Sequence, residues 1–228
     1  MSGSVTNGFS FTSSYLSRLK SGTVGAMQEG TAYGMTHAPR FPDETELVAR
    51  CLRKDREAFG MLVERYAEPI LNATYRMVGD RMEAEDLAQE AFLSAWKALP
   101  SFRAEARFST WLYRIAMNKC KDALRARRQP DEIPDGEGGV LDIAELAVDG
   151  ATPERELVQK EMALHLEQAL QALPLIYREA FVLKHIEGLS YEEMSAIVGV
   201  AGDTLKMRVY KARVELRRKL AKVMGRMP

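Results

Sequence analysis

The sequence predicts an all-α protein of two small helical domains joined by a flexible acidic linker. Three observations carry that expectation. Apolar residues recur three and four positions apart through residues 43–128 and again from 155 onward, the period of amphipathic helices. Between these stretches, residues 129–154 hold Asp131, Glu132, Asp135, Glu137, Asp142, Glu145, Asp149 and Glu154 with no Lys or Arg, interrupted by Pro130, Pro134 and Pro153. The chain then ends in a short capped helix, a tight turn and a long basic helix.

At 228 residues there is room for one or two domains with real cores. The formal net charge is zero, but the charges are segregated. Residues 204–222 carry Lys206, Arg208, Lys211, Arg213, Arg217, Arg218, Lys219 and Lys222 against Glu215 alone. Basic helices around an acidic connector suit a polyanion partner. Cys51 and Cys120 lie far apart without CxxC or His-rich neighbours, so neither a disulfide framework nor a metal site is expected, and no cofactor. No apolar run approaches the length of a membrane span, and the N-terminus lacks the pattern of a signal peptide. A soluble cytoplasmic protein with no membrane insertion is the expectation.

Residues 1–42 are rich in Ser, Gly and Thr and read as a disordered N-terminal extension, with later starts at Met27 or Met35 as alternatives. From Asp43 the pattern is helical through Leu47, Cys51, Ala58, Phe59, Leu62, Val63 and Tyr66. Pro69 is expected near the start of a further helix that ends at Gly79. Residues 80–99 carry an apolar stripe of Ala84, Leu87, Ala88, Ala91 and Ala95, with Glu83, Asp86, Glu90 and Lys97 pointing elsewhere. Pro100 opens the loop SFRAEAR, which sets Phe102 between Arg103 and Arg107. Such a pairing can stack a base and hold its phosphate, and it can equally be a loop anchor.

Residues 107–128, RFSTWLYRIAMNKCKDALRARR, form the most polarised helix. Arg114, Asn118, Lys121, Arg125 and Arg128 share one face, while Phe108, Trp111, Leu112, Ile115, Ala116, Cys120 and Ala123 share the other. Lys119 falls inside the apolar arc and is expected to snorkel to its edge. After the linker, a short turn near Leu141–Leu146 is expected, and Thr152 and Pro153 open a helix with the stripe Leu157, Met162, Leu164, Leu166, Ala169, Leu170 and Leu173. Pro174 starts the next helix, closed by Gly188. Ser190 and Glu193 form a capping box on YEEMSAIV, Gly199 ends it, and Asp203 is expected to cap the last helix, whose core face is Leu205, Val209, Ala212, Leu216 and Leu220. Two helices across a tight turn, the second strongly basic, read as a helix-turn-helix with its recognition helix last.

WKALPSFRAEARFSTWLYRIAMNKCKDAL, the EDLAQEAF helix and GLSYEEMSAIVGVAGDTLKMRVYKAR together resemble a bacterial RNA polymerase sigma factor of the extracytoplasmic-function (ECF) group of the sigma-70 family. The likeness runs from residue 43 to about 222. It implies a region 2 helical bundle at 43–128, the linker at 129–154 and a region 4 helix-turn-helix domain at 155–228. It also implies binding to core RNA polymerase, through the clamp helices of its largest subunit and the flap region, and reading of −35 and −10 promoter DNA. Asp86, Gln89 and Glu90 match the family's clamp-helix contact. Phe102 with its loop, including Arg103, matches the segment that captures a flipped base of the −10 strand, with Asn118 and Lys121 beside it. Trp111 falls near residues linked to strand opening, although its helix position suits core packing equally. Thr204, Lys206, Met207, Arg208 and Lys211 match the −35 readers. The family's usual V-G-T-V-K-S-R is here G-D-T-L-K-M-R, so Met207 stands where a small hydroxyl residue is common, exchanging a hydrogen bond for apolar contact with a thymine methyl. In the family the linker threads into the polymerase's RNA path, and an anti-sigma factor commonly holds both domains, though no residue here identifies one.

A stand-alone helix-turn-helix regulator would explain residues 174–222 but leaves the aromatic-basic stretch 102–128 without a task. An enzyme using Glu83, Glu85, Asp86 and Glu90 would need partners that His37, His165 and His185, scattered in sequence, do not supply.

Overall fold

In a computed structural model the structure describes residues 43–127 and 163–224. Expectations for the N-terminal extension, the linker, the turn near Leu141, the cap at Thr152 and Arg128 therefore lie outside the described residues. Within them every regular element is helical: α1 (Glu44–Leu52), α2 (Arg56–Val78), α3 (Arg81–Ala98), a 3₁₀ turn (Leu99–Ser101), α4 (Phe108–Arg127), α5 (residues 163–171), α6 (Leu175–Phe181) continuing into a π-turn (Val182–Ile186), α7 (Tyr191–Val198) and α8 (Gly202–Met224).

Local chemistry sets the starts. Asp43, Asp55 and Asp80 accept hydrogen bonds from first-turn N–H groups of α1, α2 and α3, relieving orphan donors and placing an anion at the positive end of each dipole. Gly79 and Gly199 end α2 and α7 in the left-handed region, at φ +80° and +78°. The capping box of Ser190 and Glu193 is present on α7.

Two boundaries differ from expectation. Pro69 lies inside a continuous 23-residue α2 rather than near the start of a helix. A mid-helix proline costs about 3 kcal/mol and removes one bond. Burial on both sides of it (Leu62, Val63, Ala67, then Ile70, Leu71, Ala73) offsets that cost and holds the helix together. Asp203 sits in the first turn of α8 instead of capping it, because the helix already begins at Gly202, with Leu205 N–H donating to the Ala201 carbonyl at 3.1 Å. Leu164, expected in the stripe of α5, is 62% exposed.

In the first half α2 packs on α3, and α4 packs on both. Phe92, Phe108, Leu112, Met117 and Cys120 are fully buried there, and burial pushes the Cys120 thiol up to about 12, where it is an inert hydrophobe. In the second half α6 packs on α8, α7 on α8. The two halves meet: α7 lies on α4, and α6 with its π-turn lies on α2, so the buried side chains of both form one contiguous apolar cluster.

Candidate nucleic-acid interface

The recognition helix is built from the inside out. Leu205, Val209, Ala212 and Leu216 are buried against α6 and α7, which turns the alternate face outward. Thr204, Lys206 and Met207 are exposed, and Arg208 and Lys211 are half-buried beside them. Lys206 Nζ rests 2.9 Å from Asp203 Oδ1, an exposed pair that water and phosphate can readily exchange. Met207, 55% exposed, is an apolar side chain offered to solvent beside Lys206, Arg208 and Lys211.

The aromatic-basic edge of the first half is an interlocked cluster. Phe102 packs against Trp111 at a centroid distance of 5.0 Å with the rings tilted by 49°, and meets Phe108 edge-on at 6.1 Å. Phe108 and Trp111 are 5.7 Å apart. Phe102 and Trp111 are each half-buried, so each is at once a packing residue and an available ring face. Arg103, Arg107, Arg114 and Asn118 are exposed around them. Ala104 holds φ +55°, a left-handed turn that swings the loop between Arg103 and Arg107.

Lys121 is placed differently from its neighbours. Its Nζ lies 2.9 Å from Glu179 Oε1 of α6, with side-chain exposures of 15% and 3%. It joins a set of contacts between the halves with one electrostatic sense. Arg76 pairs with Glu167 at 2.7 Å, Arg107 with Glu193 at 3.7 Å, and the Tyr113 hydroxyl donates to Glu187. The first half supplies bases and donors; the second supplies acids. Arg178 reverses direction: its guanidinium, in a side chain almost wholly buried, donates to the Met77 carbonyl at 2.5 Å and to Gln171 Oε1 at 2.7 Å. Gln171 in turn donates to the Arg76 carbonyl at 2.9 Å. None of these pairings was anticipated from the sequence. Tyr113 carries no local signal that sets it apart, and of the acids only Glu193 has one, as half of the capping box, while nothing local distinguishes Glu167, Glu179 and Glu187 from solvated carboxylates.

The acidic helix α3 leaves Asp86 and Glu90 exposed and Gln89 half-buried. Lys119 reaches the edge of its apolar arc as expected and meets Glu90 at 3.1 Å. Glu83 turns inward to Arg127 at 2.5 Å. Among the described residues no cluster of His, Cys, Asp and Glu could hold a metal ion, and no helix is long and apolar enough to cross a membrane.

A helical bundle with an aromatic-basic edge, followed by a helix-turn-helix whose basic face is open, defines a two-domain DNA-reading protein. The sigma-70 region 2 and sigma-70 region 4 families match residues 62–129 and 164–216 respectively. The RNA polymerase sigma-H factor of Pseudomonas aeruginosa is 39% identical over 173 residues, covering 75% of this chain and 90% of that protein. The ECF sigma factor SigW of Bacillus subtilis is 38% identical over 170 residues, covering 73% and 90%. Among solved structures, CnrH in complex with the cytosolic domain of CnrY superposes with a TM-score of 0.60 at 26% identity, covering 78% of this chain and 97% of that one. RpoE of Bartonella quintana, in complex with the anti-sigma factor NepR, gives 0.53 at 25% identity, covering 72% and 96%. The chain belongs to the sigma-70 family of RNA polymerase sigma factors, in its ECF group. It is a sigma factor rather than a stand-alone regulator, a subunit that binds core RNA polymerase and directs promoter-specific initiation.

Proposed function

We propose that this sigma factor docks on the clamp helices of core polymerase through Asp86, Gln89 and Glu90. Within 43–128 it takes the −10 non-template strand with Phe102, Arg103, Trp111 and Asn118, and Lys121 joins them only where its pair with Glu179 opens. Within 155–228 it reads the −35 duplex with Thr204, Lys206, Met207, Arg208 and Lys211. The observation that carries this assignment is the outward face of α8, where Thr204, Met207, Arg208 and Lys211 follow helical spacing over a buried apolar spine. The exposed carboxylates of α3 and the open ring faces of Phe102 and Trp111 support the other two surfaces. Sigma factors are initiation factors rather than catalysts, and nothing in this reading asks the chain for chemistry of its own. It works where core polymerase works, in the cytoplasm. Because RpoE of Bartonella quintana is seen with an anti-sigma factor, a protein partner of that kind belongs to the same reading.

Run-off transcription from a randomised promoter library, with core polymerase and with or without the chain, tests it. Enrichment of a shared pair of promoter elements is the expected result. Duplex binding without polymerase-dependent initiation would return the chain to the helix-turn-helix regulators. Reversal of charge at Asp86 and Glu90 should abolish co-purification with core polymerase while the helical circular-dichroism signal stays intact. Unchanged retention would remove these residues from the docking surface.

A further inference from the structure

α4 begins at Phe108, directly after the loop that carries Phe102, and its first turn needs partners for its orphan N–H groups. No nearby side chain supplies the first of them. Phe108 N–H donates instead to Glu44 Oε1 at 3.0 Å, from the first residue of α1, 64 positions earlier in the chain. The other oxygen of the same carboxylate accepts the Tyr66 hydroxyl of α2. Tyr66 in turn lies against Phe108, at 6.1 Å between ring centroids. Burial and the Glu44 carboxylate both hold the Tyr66 phenol well above its ordinary value, so it stays a hydrogen-bond donor.

We infer that Glu44 is a positioning residue for −10 strand capture: one carboxylate pins the start of α4 to α1 and α2 and so fixes where the Phe102–Trp111 stack stands. This rests on the −10 role proposed above for that stack. The chemistry suits the task. A carboxylate at a helix N-terminus satisfies a donor and meets the positive end of the dipole. Its second oxygen locks its own rotamer through Tyr66, so the cap cannot swing away. Phe102, Phe108 and Trp111 touch one another in a ring. Displacing Phe108 therefore displaces both faces on which a base would stack. A loop free to wander must be gathered into the binding geometry each time DNA arrives, and affinity falls by the fraction of time it spends elsewhere.

The test uses the full chain with core polymerase on a promoter selected by the native holoenzyme from a random library. Glu44→Ala should lower permanganate reactivity of the −10 strand about five- to tenfold, the size that loss of a helix cap carries. Binding of the full chain to a duplex holding only the −35 half of that promoter should not change. Glu44→Gln keeps an amide oxygen for Phe108 and an amide donor for the Tyr66 oxygen, and should restore opening. Phe102→Ala runs beside them as the marker of the stack itself. Full opening with Glu44→Ala while Phe102→Ala fails would overturn the positioning role and leave the −10 assignment standing. Parallel losses at −10 and −35, or a Glu44→Gln variant as impaired as Glu44→Ala, would also overturn it. Loss with Glu44→Ala but not with Phe102→Ala would move base capture off Phe102 and keep Glu44 as the anchor of α4.

Discussion

At Arg178 a buried guanidinium meets the carbonyl end of α2, and the two halves of the molecule meet with it. It donates to Met77, to both oxygens of Gln171 and to Leu173. A carbonyl buried without its donor costs about 1–3 kcal/mol, and shortening the side chain to Ala would strand more than one. Arg178→Ala should therefore lower stability by about 3 kcal/mol, read as a shift in urea midpoint. A midpoint within error of the native chain would mean that water replaces the guanidinium freely. Gly79 faces the same knot. A Cβ there would come within 2.7 Å of Gln171 Cδ, and Gln171 is pinned at both ends of its amide. The φ of +80° adds strain for any L side chain. Gly79 was legible as a helix end, since Gly after an apolar period is a local signal. Arg178 was not: its acceptors are mostly backbone carbonyls, one of them 101 residues away, and no side-chain pattern announces them.

Among the elements, α4 answers to two neighbours at once. Its buried arc runs beyond the apolar stripe to take in Tyr113 and Met117, and α7 of the second half packs along it. That is why its basic face is only partly open: Arg114, Asn118 and Arg125 face solvent, while Lys121 is committed to Glu179. Breaking one side of a buried pair leaves a stranded charge, and the cost exceeds what the pair itself contributed. Lys121→Met should therefore weaken the contact between halves as well as any DNA contact, and adding Glu179→Gln should recover the first loss but not the second. Thermal melts and strand binding, measured on both variants, separate the two; equal recovery of both would mean that Lys121 has no DNA role. The helix α8 allows a cleaner division. Arg208→Ala should cost roughly 1–3 kcal/mol at one promoter position if it makes a bidentate base contact. Lys219→Ala should weaken all sequences alike and flatten the salt dependence. Identical behaviour across a promoter library would erase the distinction between readers and anchors. Periodicity had identified both helices and their apolar faces, because amphipathic spacing is written in adjacent turns. It misjudged Leu164 and the Pro69 boundary, because those depend on what packs from elsewhere.

For the whole molecule, the packed arrangement makes the state of Glu187 a matter of domain contact. Its carboxylate lies between the halves and accepts the Tyr113 hydroxyl of α4. Desolvation raises it from the usual carboxylate range to about 7, against the Tyr113 hydrogen bond and the Arg76 charge of α2, which both pull it down. Those are the groups that face it from the elements packed against it, and Arg76 is already shared with Glu167. When the halves separate, water returns and the carboxyl regains its ordinary value near 4.5. The packed form therefore binds more protons than the separated one between those two values. Its stability is full below about 4.5 and is lost as pH rises through about 7, by on the order of 3 kcal/mol at 1.36 kcal/mol per pH unit. Free protein should accordingly loosen toward alkaline pH. A pair of fluorophores, one on each half, should report a growing separation as pH is raised through neutrality. Glu187→Gln carries no titrating proton, keeps an acceptor for Tyr113 and should stay packed over the same range. Loosening with the same midpoint in both proteins would place the pH dependence on another group. A native chain whose separation does not move with pH would mean that the contact between the halves is held by Arg178, Lys121 and the shared apolar core strongly enough to keep Glu187 desolvated even when charged.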